Sequence, residues 1–309
     1  VKELVENAMD AGSDTITVEI RGGGIDFIRV TDNGCGIPSD QIETAFMRHA
    51  TSKIRCADDL DVVESLGFRG EALSSIGAVA QIELITKTPE ALIGTRYISE
   101  GDGQKNCEDI GAPDGTTVMV RNLFYNTPVR RKFLKTAATE GSYIADLMEH
   151  LALSHPSVSF KFMVNGTVKF HTSGNGDLKE VIYRIYGRET ANELIPLDSQ
   201  VPGMKLTGYL GKPVMNRSNR SFETYFVNGR YIRSDLIAKA LEEGYKEYLM
   251  QHKYPFVVLH FDIDTAYVDV NVHPTKMDVR FTDGPAVFDF VASSVESALK
   301  IHEMIPDVY

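Results

Sequence analysis

The first residues of the chain include two polar side chains whose spacing suits chemistry on a single ligand. Glu3 and Asn7 are four residues apart, so a helix through this stretch places them on one face, a turn apart. A carboxylate there can orient and deprotonate a water molecule, and an amide oxygen can ligate a hard cation. The solvated polar face of an amphipathic helix has the same spacing, so this stretch alone leaves both interpretations open.

A second candidate is the carboxylate of Asp32, which follows a predicted strand and precedes Gly34 and Gly36. An ionised carboxylate only accepts hydrogen bonds, so it suits the exocyclic amino group of adenine and rejects the carbonyl of guanine. The two glycines would let a planar ligand approach the backbone. A simple glycine-containing turn is the alternative for the same residues.

A third candidate is the pair Gly67 and Gly70, just before a helix that the apolar pattern predicts to begin near Glu71. Unpaired amides at a helix start form an anion cradle, and glycines there admit close approach. The stretch is not a Walker A loop, because it lacks the Gly-Lys-Ser/Thr ending. Residues 48–66 are polar and weakly periodic, which is typical of a mobile lid and also of a plain connector.

The elements that position these side chains follow from the hydrophobic pattern. The first helix is expected to end at Gly12 in the left-handed conformation, and residues 15–21 and 25–31 form a hairpin. This arrangement favours an α+β layer over a regular βαβ array. The other elements predicted up to residue 172 are strands at 81–87 and 115–120, a loop at 88–114, helices at 129–135 and 143–154, and a hairpin over 158–172.

Residues 172–177 are small and polar and form the best candidate for a domain boundary. A length of 309 residues predicts two domains, with one large domain as the alternative. Beyond the boundary the pattern predicts helices at 178–186, 234–250 and 285–304 and strands at 206–210, 222–227, 256–263 and 268–272. Because the chain begins without Met inside a helical pattern, we expect a further segment ahead of Val1.

The composition narrows the class of protein. An apolar fraction of 43% with 24% charged residues is typical of a globular protein, and no run of eighteen apolar residues appears. Three scattered cysteines fit a reducing cytoplasm and match neither a disulfide framework nor a zinc site. A net charge of −11 argues against nonspecific adhesion of nucleic acid over the whole surface, although basic residues cluster locally. The clusters are Arg130, Arg131, Lys132 and Lys135, and Arg217, Arg220, Arg230 and Arg233.

Four motifs, Glu3/Asn7, Asp32-x-Gly34-x-Gly36, Gly67-x-x-Gly70 and Gly115-Thr116, occur in the order of the ATP-site motifs of the gyrase, Hsp90, histidine kinase and MutL superfamily. Each motif alone is weak, and the ordered set is specific. The residue sequences of the motifs along the whole chain resemble the N-terminal ATPase region of the MutL family of bacterial DNA mismatch repair proteins. The stretches that carry this resemblance are KELVEN from Lys2, DNGCGI from Asp32, RHATSK from Arg48, GFRGEAL from Gly67, LFYNTP from Leu123 and DVNVHP from Asp269.

The resemblance implies ATP and Mg²⁺ as cofactors and assigns a role to each matching residue. Glu3 would be the general base, Asn7 the Mg²⁺ ligand, and Asp32 the group that holds the adenine amino group. Thr116 and Gly36 would lie beside Asp32, and Lys276 would reach the γ-phosphate from the second domain to stabilise charge. The remaining nucleotide-binding residues implied are the lid residues Thr51, Ser52 and Lys53 and the phosphate cradle Gly67, Phe68, Arg69, Gly70, Glu71, Ala72 and Leu73.

The implied fold class is α+β: a two-layer, Bergerat-type α/β sandwich over residues 1–175, followed by a ribosomal protein S5 domain-2-like α/β domain over residues 180–309. The implied function is a slow, Mg²⁺-dependent ATPase that acts as a nucleotide-gated clamp and matchmaker on DNA. A nucleotide-gated association module in which hydrolysis is incidental is the alternative. The sequences GFRGEAL, from Gly67, and NVHP, from Asn271, disfavour a gyrase-like or Hsp90-like ATPase.

The implied partners are DNA, bound nonspecifically through its backbone, a mismatch-recognition protein, and a downstream nuclease or helicase. An ATP-dependent homodimer of the full-length protein is also implied, with no membrane association and a bacterial cytoplasmic location near the nucleoid. The basic residues expected to contact DNA phosphates are Arg130, Arg131, Arg230 and Arg233.

Overall fold

The computed structural model describes residues 1–47, 72–100, 105–269 and 279–303. The chain forms two compact units. The first consists of Val1–Ala152 and Pro156–Gly176, and the second of Leu153–His155 and Asp177–Tyr309.

The first unit is built on an eight-stranded sheet. Its strand order is β5-β4-β3-β6-β2-β1-β7-β8, and every neighbouring pair is antiparallel except β1 with β7. The elements up to residue 171 are α1 (Lys2–Asp10), β1 (Thr15–Arg21), β2 (Phe27–Asp32), α2 (Ile42–Ala45), α3 (Ala72–Gly77), β3 (Gln81–Lys87), β4 (Gly94–Glu100), β5 (Lys105–Ile110), β6 (Gly115–Arg121), α4 (Pro128–Arg131), α5 (Ala137–Ser154), β7 (Ser159–Val164) and β8 (Thr167–His171). Short 3₁₀ turns lie at Gly22–Gly24 and Ser39–Gln41.

The strands of this sheet bury one row of alternating apolar side chains. Val18 pairs with Val30, which pairs with Val118, which in turn pairs with Leu84, and all four are buried. Because side chains alternate across a strand, this register places an apolar row on one face. On α1, Leu4, Val5 and Ala8 are buried as well, and the helix packs on β2.

The prediction of a loop at residues 88–114 was wrong. This segment contains β4 and β5, which extend the sheet beyond β3 by two antiparallel strands. The buried positions of β4 are Gly94, Thr95, Tyr97 and Ser99 rather than aliphatic residues. A strand that buries hydroxyl-bearing side chains gives a weak hydrophobic alternation, which is the signal that the sequence prediction relied on.

The second unit is built on a five-stranded sheet in the order β12-β11-β13-β10-β9, in which only β11 and β13 are parallel. Its elements are α6 (Leu178–Asn192), β9 (Leu194–Val201), β10 (Met204–Gly211), β11 (Glu223–Val227), β12 (Arg230–Ile232), α7 (Asp235–Gly244), β13 (Val257–Ile263), β14 (Val268–Asp269), β15 (Arg280–Phe281) and α8 (Gly284–Glu303). Short 3₁₀ turns lie at Pro213–Met215 and Thr265–Tyr267.

Helices α7 and α8 pack together and share an apolar core with the second sheet. The side chain of Ser234 caps α7 by accepting a hydrogen bond from the amide of Ile237, as expected from the sequence. α7 is shorter than the predicted helix at 234–250, and strand β9 had not been predicted. The α+β fold class is confirmed, with two mixed sheets and their helices.

Candidate functional site

The carboxylate of Asp32 lies at the end of β2 and is held by three hydrogen-bond donors. The amide of Gly34 donates at 2.9 Å, the amide of Thr116 at 3.2 Å, and the hydroxyl of Ser13 at 3.2 Å. All three donors reach the same oxygen, Oδ1. Within the described part of the chain nothing donates a hydrogen bond to Oδ2, so the two carboxylate oxygens differ in their partners.

Burial raises the pKa of Asp32 above its ordinary value, and the hydrogen bonds from Gly34, Thr116 and Ser13 oppose that rise. The carboxylate is thus taken partly out of water while donors stabilise its charged form. A group in this state interacts more strongly with a hydrogen-bond donor of a ligand than an exposed carboxylate does.

The loop after Asp32 is packed tightly against its surroundings. Gly36 has a φ of +68°, and a Cβ built there would lie 2.3 Å from the carbonyl oxygen of Lys87. The amide of Cys35 donates to the carbonyl of Ala11 at 3.0 Å, so the loop is also joined to the residue just after α1. Only glycine fits at position 36 in this conformation.

Thr116 is the second polar group beside Asp32, and its hydroxyl forms a hydrogen bond with a buried hydroxyl, that of Thr86. Its Oγ1 lies 3.0 Å from the hydroxyl of Thr86 on β3. The Thr86 hydroxyl also accepts from the amide of Ile37 at 2.9 Å and donates to the carbonyl of Gly115 at 3.1 Å. Asp32, its loop and the start of β6 therefore form one hydrogen-bonded group.

The first helix carries Glu3 and Asn7 as expected, with Glu3 exposed and Asn7 half-buried. α1 ends at Asp10, and Gly12 follows with a φ of +74°, which confirms the predicted left-handed end. Glu6, which lies between Glu3 and Asn7 in the sequence, is buried and pairs with Lys2 at 3.5 Å. Burial raises the pKa of Glu6. The end of α1 meets the Asp32 loop through Ala11 and Ser13, whereas no hydrogen bond or ion pair among the described residues joins Glu3 to Asp32.

Part of the predicted site lies outside the described residues. This holds for Thr51, Ser52 and Lys53, for the cradle residues Gly67, Phe68, Arg69, Gly70 and Glu71, and for Lys276. The last two cradle residues, Ala72 and Leu73, are half-buried at the start of α3.

The four arginines expected to contact DNA are distributed over both units. Arg130 and Arg131 are exposed on α4, and neither pairs with a carboxylate of the described residues. In the second unit Arg230 is half-buried on β12, and Arg233 is exposed and hydrogen-bonds to the side chain of Tyr231. Exposed, unpaired guanidinium groups such as those on α4 are available to an anionic partner.

Sequence reasoning missed two residues of this site, Ser13 and Thr86. Thr86 occupies a position of β3 that continues the buried row of Ile82 and Leu84, and it is 1% exposed. A hydroxyl at an otherwise apolar strand position was a usable signal, since a buried polar group must find partners. Ser13 carried no comparable signal, because its position after Gly12 looks like an ordinary turn.

The described residues contain no cluster of three or more His, Cys, Asp or Glu side chains able to hold a metal ion. Asn7 nevertheless fits Mg²⁺, because this ion keeps several waters and takes few oxygen ligands from the protein when it is bound to phosphates. Among the helices in the described ranges, none is long and apolar enough to cross a membrane.

Two family profiles match the chain. The profile of histidine kinase-, DNA gyrase B- and HSP90-like ATPases matches residues 1–74, and the profile of the C-terminal domain of DNA mismatch repair proteins matches residues 182–300. The DNA mismatch repair protein MutL of Agathobacter rectalis is 58% identical over 308 residues, which is 100% of this chain and 47% of that protein. MutL of Caldanaerobacter subterraneus subsp. tengcongensis is 43% identical over 308 residues, 100% of this chain and 52% of that protein.

Solved structures with the same fold include the N-terminal domain of a DNA repair protein, with a TM-score of 0.80 at 25% identity over 98% of this chain and 94% of that one. Another is the Aquifex aeolicus MutL ATPase domain complexed with ADP, with a TM-score of 0.65 at 25% identity over 94% of each chain. The chain spans about half the length of the curated relatives it matches.

Proposed function

Because this chain belongs to the MutL family of DNA mismatch repair proteins, of which it represents the ATPase region, we propose that it binds ATP with Mg²⁺ at the Asp32 site and hydrolyses the nucleotide slowly. The whole protein would use this cycle as a nucleotide-gated clamp and matchmaker on DNA. The ADP complex of the Aquifex aeolicus MutL ATPase domain supports nucleotide binding by this fold.

The observation that carries the proposal is the asymmetry of the Asp32 carboxylate. Three donors occupy Oδ1, so Oδ2 is the acceptor offered to the exocyclic amino group of adenine. Gly36 lets the loop after Asp32 lie directly against the carbonyl of Lys87, where a side chain would not fit. The acceptor-only character of a carboxylate explains the preference for an amino group over a carbonyl.

The phosphate end of the site rests on the family resemblance. Glu3, exposed in the first turn of α1, would orient and deprotonate the attacking water. Asn7, one turn later, would hold Mg²⁺, which would supply positive charge to neutralise the phosphates. Thr51, Ser52, Lys53, the cradle from Gly67 to Leu73, and Lys276 are assigned to the triphosphate on the same ground. Positioning and charge neutralisation suffice for slow phosphoryl transfer. Slow turnover suits a protein whose nucleotide state sets the duration of a step better than it suits a metabolic enzyme.

DNA would be bound through its phosphates by local basic patches on an acidic protein. The exposed arginines Arg130 and Arg131 support this, with Arg230 and Arg233 as further candidates. Such contacts add salt-dependent affinity without sequence preference. Replacement of Arg130 by Glu should weaken DNA binding and flatten its salt dependence, and an unchanged salt dependence would contradict this assignment. Dimerisation with ATP and contact with other mismatch repair proteins belong to the whole protein.

The variant Asp32→Asn tests the site directly. The three donors that surround Oδ1 select the oxygen of the substituted amide for that position, so the amide NH₂ would face the adenine amino group as a second donor. We expect ATP affinity, measured by calorimetry, to fall by roughly 10-fold to 100-fold. Asp40→Asn, at an exposed carboxylate of the same unit, is the matched control. Unchanged affinity in a folded Asp32→Asn protein would remove adenine from this site.

A further inference from the structure

The hydroxyl of Thr86 contacts three partners at once. The amide of Ile37 lies 2.9 Å away, the carbonyl oxygen of Gly115 3.1 Å away, and Oγ1 of Thr116 3.0 Å away. Thr86 is 1% exposed, so water does not compete for these contacts. A polar group buried to this extent has its hydrogen bonds decided by its protein partners.

The number of hydrogens and lone pairs on one hydroxyl fixes the direction of each of these hydrogen bonds. A threonine hydroxyl has one hydrogen to donate and two lone pairs to accept with. The amide of Ile37 only donates and the carbonyl of Gly115 only accepts. All three contacts are satisfied together only when Thr86 donates to Gly115 and accepts from Ile37 and from the hydroxyl of Thr116. The hydrogen of the Thr116 hydroxyl is then committed to Thr86.

The direction of the hydrogen bond from Thr116 matters because Thr116 is adjacent to Asp32, the carboxylate proposed to accept from the adenine amino group. The amide of Thr116 donates to Oδ1 of Asp32 at 3.2 Å. With its hydrogen turned to Thr86, the Thr116 hydroxyl presents only lone pairs to its half-exposed side. Asp32 and Thr116 would then both be acceptors, side by side.

We propose that Thr86 is a positioning residue for nucleobase selection, because it holds the Thr116 hydroxyl as an acceptor beside Asp32. This inference rests on the proposed adenine site. The site then favours a purine with an amino group at position 6 over one with a carbonyl oxygen there. Through the amide of Ile37, the same hydroxyl also fixes the loop that follows Asp32.

The test is the ratio of the dissociation constants of ITP and ATP, measured by calorimetry on the 309-residue chain. ITP carries a 6-carbonyl in place of the 6-amino group. In Thr86→Val the Thr116 hydroxyl regains its hydrogen and can donate to that carbonyl, so we expect the preference for ATP to fall about tenfold. Thr86→Ser keeps the hydroxyl and should keep the wild-type ratio. A general loss of stability lowers the affinity for both nucleotides alike, so it does not change the ratio.

Thr117→Val is the matched control, because Thr117 follows Thr116 on β6 and its hydroxyl donates to Thr31 at 3.1 Å instead of contacting Thr86 or Thr116. It should keep the wild-type ratio. If Thr86→Val does not fold, Thr86→Cys takes its place, since a thiol donates and accepts only weakly. A folded Thr86→Val or Thr86→Cys protein with the wild-type ratio overturns this inference. Failure of the wild-type chain to bind ATP, or of Asp32→Asn to weaken binding, overturns the proposed function and this inference with it.

Discussion

The Ser13 hydroxyl donates a hydrogen bond of 3.2 Å to Oδ1 of Asp32, across 19 residues of sequence. Ser13 is 5% exposed and follows closely after the end of α1. It is the only side chain among the three donors to that oxygen, since the other two are the amides of Gly34 and Thr116. The first helix and the second strand are thus joined at the carboxylate itself.

Ser13→Ala should move the pH dependence of ATP binding. The serine hydrogen bond lowers the pKa of Asp32 against the effect of burial, so its loss raises this pKa further. Adenine recognition requires the ionised carboxylate, and ATP affinity should therefore begin to fall at a higher pH than in the wild type as the solution is acidified. Calorimetric titrations from about pH 8 down to about pH 4.5 measure this, with Ser142→Ala on α5 as the control for loss of an exposed hydroxyl. Superimposable pH curves would show that Ser13 does not act on Asp32.

Gly36→Ala should impair ATP binding more than an equivalent change elsewhere. A Cβ at position 36 would lie 2.3 Å from the carbonyl oxygen of Lys87, so the loop after Asp32 must shift. Gly166→Ala is the matched control, because Gly166 also has a positive φ, +80°, but has no atom within 4 Å of an added Cβ. Both changes carry the backbone cost of a left-handed alanine, roughly 1 kcal/mol. Comparable ATP affinities of the two variants would mean that the loop position is unimportant for binding.

Glu3→Ala should separate hydrolysis from binding. A positioned general base contributes about 10²-fold to 10⁴-fold to a rate, and Glu3 is exposed and has no role in the core. We expect turnover to fall by that order while ATP affinity stays within about threefold, with Asp40→Ala as the control carboxylate. If DNA or partner association persists in Glu3→Ala, the nucleotide-gated module gains support. Wild-type turnover would exclude Glu3 as the base.

The sequence was most informative where periodicity and turn chemistry agree. Strands Thr15–Arg21 and Gln81–Lys87 have the predicted bounds, and the hairpin turns at Asn165 and Gly166, both with positive φ. Asp32 and Thr116 could be singled out because their motifs are local in sequence. Thr86 gave only the signal of a hydroxyl at an apolar strand position, and Ser13 gave none. Thr86 reaches Thr116 because β3 pairs with β6, a pairing that no local pattern specifies.

A buried carboxylate in the second unit predicts a separate pH effect on stability. Glu223 begins β11, is 6% exposed, and receives no hydrogen bond from the described residues at either carboxylate oxygen. Burial raises its pKa from 4.5 to about 7, against the attraction of Arg220, which itself pairs with Glu242 at the surface. Between these two pKa values the folded state therefore keeps a proton that the unfolded state has released. Stability contributed by this residue falls as the pH rises through that window.

Glu223→Gln should accordingly be more stable than the wild type above about pH 7, by roughly 3 kcal/mol in the free energy of unfolding. The difference should shrink as the pH falls and vanish near pH 4.5, where the folded wild type carries a neutral side chain as well. Urea denaturation from about pH 5 to about pH 8.5 measures it, with Glu243→Gln as an exposed control on α7. A constant difference across this range would show that Glu223 does not titrate with folding.

The parallel pairing of β1 with β7 constrains the order in which the first unit can assemble. Thr15 pairs with Ser159, so β1 lacks its second neighbour until nearly the whole unit has left the ribosome. Contacts so distant in sequence slow folding and leave a strand edge exposed in the meantime. The antiparallel ladder β1-β2-β6-β3 needs no residue beyond Arg121, so the nascent chain can organise the surroundings of Asp32 before that edge is closed.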